Sequence, residues 1–249
     1  MTITIQLGGL DVEVVRKDIK NIHLSVLPVT GRVRIAAPQR VSLDTIRAFA
    51  ASRLPWIRRH QRKLVAQERE PPREYLDRES HFVWGQRVLL EVVAAKGAPE
   101  VCRRPGKLTL RIRQNASTDD RRVALDGWYR AEVRRATEPI LAKLEARLDV
   151  RLNQLFVQRM KTKWGSCNPQ SRNIHLNTDL AKKPPDCLEY VALHELAHLR
   201  WPTHSPEFFA MLDREMPNWR NVRRLLNQLP LSAQPSSHSQ AKARGMSDL

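Results

Sequence analysis

An α+β fold is predicted for this chain, on three observations. Its first third consists of short alternating segments separated by Gly- and Pro-bearing turns, the pattern of half-buried strands. From residue 118 onward, apolar residues recur at helical spacing. A length of 249 residues is enough for one or two hydrophobic cores, and no run of about eighteen apolar residues is present to span a membrane. The expected organisation is an N-terminal antiparallel β-rich module with basic helices over residues 1–115. A domain of β-hairpin and helices follows over 116–231, and a disordered polar tail over 232–249.

In chain order, Ile3–Val15, Ile22–Leu27 and Arg32–Ala36 alternate, and Pro28-Val29-Thr30-Gly31 supplies a turn, so these segments read as an antiparallel meander. Ser42 is placed to cap a helix over Leu43–Ser52. Pro55 restarts that helix, with Trp56 and Ile57 directed to the core and Arg and Lys outward. Residues 70–80 form a polar, proline-bearing connection. Val88–Val93 and Lys107–Arg113 read as a further strand pair, broken by Lys96-Gly97-Ala98-Pro99.

Trp128, Val133, Ile140, Leu141, Leu144 and Leu148 give the stretch from Thr118 to Leu148 a helical period, which Pro139 is expected to kink or divide. Leu155–Lys161 and Asn173–Asn177 read as strands joined across the Gly165–Arg172 loop. Asp186–Arg200 is nearly all apolar and reads as a buried helix, with Asp186 as N-cap behind Pro184-Pro185 and Pro202 as its stop. Ser205-Pro206-Glu207 opens another helix that ends near Met216-Pro217, and Trp219–Leu229 is a last short one before Pro230. No internal repeat is visible.

The buried helix carries His194-Glu195-Leu196-Ala197-His198. Histidines four apart project from one helix face, so both imidazoles can bind a single ion. Glu195, between them, can serve as general base toward a metal-bound water. Such a motif fixes only three positions, and its surroundings give it weight. Buried His and Glu are costly unless paired or metal-bound, and a satisfied core histidine explains one of the three but not the set. His204 lies on the connection between two helices, from where it can fold back. A catalytic zinc takes three protein ligands and keeps one open position, and His194, His198 and His204 supply the three. One catalytic Zn²⁺ is therefore expected, with Glu195 catalytic.

These residues resemble a known family. The stretch HELAHLRWPTHSPEFF, residues 194–209, looks like the active-site segment of the SprT/YgjP-like metallopeptidases, in which the helix motif is followed by a His-Ser/Gly-x-x-Phe element. Lys163-Trp164-Gly165-Ser166-Cys167, Asn173-Ile174-His175-Leu176-Asn177, Pro184-Pro185 and Tyr190-Val191 follow the order and spacing of the YgjP branch. So do Asn21-Ile22-His23-Leu24-Ser25-Val26, Val33-Arg34-Ile35-Ala36-Ala37-Pro38 and Trp56-Ile57 before a basic helix; the likeness spans about residues 10–230. It implies a zincin-like minidomain, a β-hairpin plus metal-binding helix and C-terminal helices, and a zinc metallopeptidase acting on protein or peptide substrates. Relatives in the wider group act on proteins attached to DNA. Some YgjP-like proteins have been associated with nucleotide pyrophosphatase activity, so a metal-dependent phosphoanhydride hydrolase is the alternative. A DNA-binding module with structural zinc is a third reading.

Around the motif, Trp164, Gly165 and Ser166 are candidates for packing or for lining the substrate cleft, since Gly permits close backbone approach. Arg172, His175, Asn177 and Arg200 fall in segments expected to border the site. Cys167 with His175 as base offers a competing nucleophile, but the metal set already accounts for hydrolysis. A net charge of +17 admits backbone-directed, salt-sensitive contact with nucleic acid. The basic residues cluster around Arg47–Lys63, Arg103–Arg113 and Arg121–Arg135. Three widely spaced cysteines argue against a disulfide framework, and with no secretory signal visible in MTITIQLGG the expected location is cytoplasmic, with no membrane partner.

Overall fold

The structure, a computed structural model, describes residues 2–27, 31–66, 73–160 and 163–228. Its contacts divide at 69/70 into two compact units.

In the first unit, β1 (Thr2–Leu7), β2 (Leu10–Lys17), β3 (His23–Val26) and β4 (Val33–Pro38) form one sheet in the order β1-β2-β4-β3. β1/β2 and β3/β4 are antiparallel, as expected, but β2 and β4 run parallel, so the sheet is mixed and not an antiparallel meander. Burial explains the swap. β4 carries Val33, Ile35 and Ala37, all buried, and takes an inner position, while half-exposed β3 goes to the edge. The core adds Ile46 from α1 (Leu43–Ser52) and Ile57 from α2 (Leu54–Ala66). Ser42 Oγ caps α1 by accepting from the Thr45 N–H at 3.1 Å. Trp56 does not join Ile57 inside: it is 36% exposed and stacks on His60 at 4.9 Å. Successive helical residues diverge by about 100°, so only one of the pair can face the core.

The second unit opens with β5 (Ser80–Val83), β6 (Gln86–Ala94), β7 (Glu100–Arg104) and β8 (Lys107–Ile112), in the order β5-β6-β8-β7. The pairing directions repeat those of the first sheet, antiparallel at both rims and parallel between β6 and β8. Each sheet is followed by a Ser-capped helix, α1 after Ser42 and α3 (Thr118–Leu148) after Ser117. The chain thus repeats a topology that its residue identities conceal. In α3, Ser117 and Asp120 form a reciprocal capping box, and the helix runs unbroken through Pro139. Leu141, Leu144 and Leu148 beyond the proline remain buried, and that packing holds the helix where the ring removes a hydrogen bond.

Val88, Leu90 and Leu108 of this sheet share a core with Leu125 and Val133 of α3 and with Leu193 and Leu196 of the metal-motif helix. The observed division therefore falls at 69/70 and not at the 115/116 expected from sequence, because sheet and helices bury one another. A three-stranded sheet follows, β9 (Gln154–Gln158), β10 (Gly165–Asn168) and β11 (Asn173–Asn177), in the order β10-β11-β9. The expected Gly165–Arg172 loop contains β10, which forms the hairpin with β11, while β9 pairs with β11 in parallel. Gly-Ser-Cys-Asn has little intrinsic strand preference, so the ladder to β11 imposes the conformation. α4 (Pro185–Ala197), α5 (Pro206–Glu215) and α6 (Trp219–Gln228) complete the unit. No helix among the described residues is long and apolar enough to cross a membrane. The expected tail at 232–249 lies outside the described residues.

Candidate metal centre

α4 begins differently from expectation. Pro184 occupies the N-cap position with no side-chain bond, and Asp186 sits inside the first turn, where its charge complements the helix dipole. Cys187, Leu188, Val191, Ala192, Leu193, Leu196 and Ala197 are all buried, so the helix is wrapped nearly all round. Within it His194 and Glu195 have fixed surroundings. The α-helix ends at Ala197, yet His198 keeps helical dihedrals (φ −64°, ψ −13°), preserving the i, i+4 relation. The next turn tightens, with the Leu199 and Arg200 N–H groups donating to Leu196 and Ala197 carbonyls. The chain then swings through His204 into α5, whose start is fixed by Ser205 Oγ accepting from the Phe208 N–H.

Three imidazoles converge as a result. One ligand nitrogen from each of His194, His198 and His204 lies within 4.8 Å of the others, and the Nε2 atoms of His194 and His204 are 3.1 Å apart. The Trp201 carbonyl lies 3.0 Å from His198 Nδ1 and accepts a hydrogen bond from its N–H, which leaves the Nε2 lone pair available to a metal. Phe208, fully buried, touches all three rings at centroid distances of 5.1, 5.0 and 4.9 Å and locks their orientations. Burial, with His198 and His204 adjacent, lowers the His194 pKa to about 3, so that ring stays neutral. Its Nδ1 is buried without a partner. Three imidazole nitrogens clustered within 4.8 Å of one another at the edge of a cavity fit a divalent metal such as Zn²⁺.

Glu195 is 8% exposed, and burial raises its pKa to about 7 against the opposing charge of Lys163 and a hydrogen bond from the Cys167 backbone N–H. A carboxylate poised near neutrality suits general base work. Gly165 makes its position available: a Cβ there would lie 2.6 Å from Glu195 Cγ, 2.9 Å from Oε1 and 2.9 Å from Val191 Cγ1. Asn177 pins the approach to β10. Its N–H donates to the Trp164 carbonyl at 2.8 Å, and its Nδ2 donates to the Met160 and Lys163 carbonyls at 2.9 and 2.8 Å. Trp164, half-buried, lines the cavity and has Lys183 Nζ 5.7 Å from its ring centroid, while Ser166 sits opposite His175 in the ladder.

The other candidates have different engagements. The Arg172 carbonyl accepts from the Asn153 N–H, His175 stacks on Phe156 at 4.8 Å, and Arg200 donates to the Leu148 carbonyl at the C-terminus of α3. The Cys167 thiol is pushed up to about 11 by burial and by Glu195, which leaves no thiolate for attack at neutral pH. Sequence reasoning gave no role to Phe208, although it belongs to the quoted His-Ser-x-x-Phe element. It also missed Tyr190, Phe209, Trp219 and Arg223, which line a cavity of about 460 Å³ beside His194, Glu195 and His204. Tyr190 and Phe209 fall within the quoted motifs, while Trp219 and Arg223 share only a helical spacing, which has no meaning until α6 is placed.

Comparison with known proteins gives a family match described as YgjP-like, metallopeptidase domain, over residues 20–229. No curated protein matches. Among solved structures, the metallopeptidase zymogen jannalysin of Methanocaldococcus jannaschii is similar at 18% identity and a TM-score of 0.33, over 37% of this chain and 88% of that one. The zymogen abylysin of Pyrococcus abyssi is similar at 19% identity and 0.34, over 38% of this chain and 99% of that one.

Proposed function

The chain belongs to the YgjP-like metallopeptidase family, and from that premise we propose that it hydrolyses peptide bonds with one zinc ion held by His194, His198 and His204. The observation that carries this reading is the convergence of three imidazoles with a buried carboxylate beside them. Zinc, when bound there, supplies Lewis acidity and brings the pKa of water towards neutrality. Glu195 accepts a proton from the attacking water and delivers it to the departing amine. Gly165 and the Cys167 N–H keep the Glu195 carboxylate in place, and Phe208 keeps the imidazoles aligned. The free Cys102, Cys167 and Cys187 suit a reducing, cytoplasmic setting.

Glu195→Gln should retain one zinc per chain, measured by atomic absorption, and lose casein hydrolysis by at least about a hundredfold. Full turnover in that variant would sink the mechanism. Release of pyrophosphate from nucleoside triphosphates without peptide cleavage would replace the substrate class with the phosphoanhydride alternative.

A nucleic-acid contact is favoured by a separate observation, the unequal neutralisation of the basic clusters. Arg111, Arg113, Arg122 and Arg135 are paired with Glu100, Asp120, Asp119 and Glu132. On α1 and α2 the lone acidic residue, Asp44, is engaged by Arg47, and exposed Arg59 and Arg62 have no acidic partner among the described residues. Exposed Trp56 on the same helix adds a stacking surface. Charge reversal is unnecessary for the test: replacing both Arg59 and Arg62 by Ala should weaken single-stranded DNA binding about tenfold and flatten its salt dependence by about one to two charges. Affinity indifferent to salt in the parent protein excludes this contact.

A further inference from the structure

The cavity beside the three histidines combines two unlike features. One is apolar and ordered: Trp219 stacks nearly parallel to Tyr190 at 6.1 Å and to Phe209 at 5.8 Å, forming a continuous aromatic wall that Leu212 and Leu226 extend. The other is cationic. Arg223, one turn beyond Trp219 on α6, lines the same cavity. The carboxylate that shares the cavity, Glu195, feels the charge of Lys163 and forms no ion pair with Arg223. α6 contains no acidic residue, Asp213 is engaged by Arg220 and Trp219, and Arg223 has no ion-pair partner among the described residues. The guanidinium of an arginine is planar, permanently charged and shaped for two parallel hydrogen bonds to a carboxylate. An arginine without a counter-ion, set between an aromatic wall and a hydrolytic centre, therefore has the attributes of a substrate-binding group.

We propose that this cavity receives the substrate residue next to the scissile bond, with a large apolar side chain against the Tyr190–Trp219–Phe209 wall and a carboxylate of the peptide on Arg223. Two sources present that carboxylate at such a distance, the α-carboxylate of a C-terminal residue and an acidic side chain. Lys163, which also lines the cavity and whose charge reaches Glu195, is assigned no part in this recognition. The proposal rests on the peptidase reading of the site, because it takes the occupant to be a peptide. It adds that the enzyme selects anionic, apolar-flanked peptides and that Arg223 is its specificity-determining residue.

The test separates binding from turnover. Zinc-loaded Glu195→Gln protein, with Arg223 intact or replaced by Gln or Lys, is titrated calorimetrically with three short peptides. The first ends in phenylalanine with a free carboxylate, the second is the same peptide amidated, and the third is amidated with glutamate beside the phenylalanine. With Arg223 present, at least one carboxylate-bearing peptide should bind about tenfold more tightly than the amidated one. Arg223→Gln should abolish the difference while leaving the amidated peptide's affinity and the zinc content unchanged, and Arg223→Lys should restore part of it. Preference for the first peptide identifies the α-carboxylate as the source, and preference for the third an acidic side chain. Equal affinity for all three peptides overturns the proposal. So does an Arg223→Gln loss that falls equally on the amidated peptide, or Arg223-dependent binding of a nucleoside triphosphate with no carboxylate preference. Cleavage of the same peptides by protein with Glu195 intact is read separately. Selective binding without cleavage counts against the peptidase reading alone, and cleavage without selectivity counts against the role of Arg223 alone.

Discussion

Glu195 owes its position to a neighbour that has no side chain. The space a methyl group on Gly165 would fill is already occupied by Glu195 Cγ and Oε1 and by Val191 Cγ1, all within 3 Å of it. Gly165→Ala should therefore push the carboxylate aside while the three histidine rings, packed against Phe208, remain in place. Misplacing a catalytic group by a fraction of an ångström to an ångström is expensive for the rate. We expect turnover to fall at least about tenfold with zinc stoichiometry intact, measured in parallel by peptide hydrolysis and metal analysis. Unchanged turnover would mean that Glu195 relaxes without cost. The histidine pair and the carboxylate between them were legible in the sequence because i, i+4 spacing on one helix is a local property. The dependence on Gly165 was not: it arises where a strand 30 residues earlier crosses the metal-motif helix, and only the close approach reveals it.

At the scale of elements, the helix ends divide the legible from the illegible. Ser42 and Ser205 cap α1 and α5 as their sequences foretell, because a cap needs only a side-chain oxygen and an N–H three residues on. Ser117 belongs with them and forms the fuller device, a reciprocal box with Asp120 at the start of the longest helix. Ser117→Ala should lower global stability by about 1 kcal/mol in chemical denaturation and leave zinc affinity unaltered, since the cap lies at the far end of α3 from the residues that meet α4's metal-binding turn. A loss confined to zinc binding would contradict that account. Strands were less readable. β10 has no alternating apolar pattern and is held by β11, while Trp56 and Ile57 were both assigned inward although one helix face can take only one of them.

For the whole molecule, two separate hydrophobic cores have an energetic consequence. One gathers residues between Ile5 and Ile57, the other residues between Val83 and Leu226, and the candidate zinc ligands belong only to the second unit. A ligand that binds the native state stabilises the unit that holds it, by an amount set by concentration over Kd. Differential scanning calorimetry should accordingly resolve two transitions, of which zinc loading raises one by several degrees and chelation lowers it again. Equal displacement of both transitions would show that the units melt together. The same scale explains the boundary misplaced from sequence. β5–β8 alternate like the first sheet, but their buried faces are completed by α3, so they belong to the unit that carries the three histidines.

The sequence by itself determined the α+β class, the buried helix with His194, Glu195 and His198, the third histidine on the following turn and the caps that start α1 and α5. All of these depend on spacings of a few residues, which chain stereochemistry converts directly into geometry. Tertiary structure alone decided the parallel pairing at the middle of both sheets, the repeated topology, the clearance over Gly165 and the cavity where Arg223 faces an aromatic wall. Those features join residues far apart in the chain, and only the competition to bury apolar surface determines which of them meet.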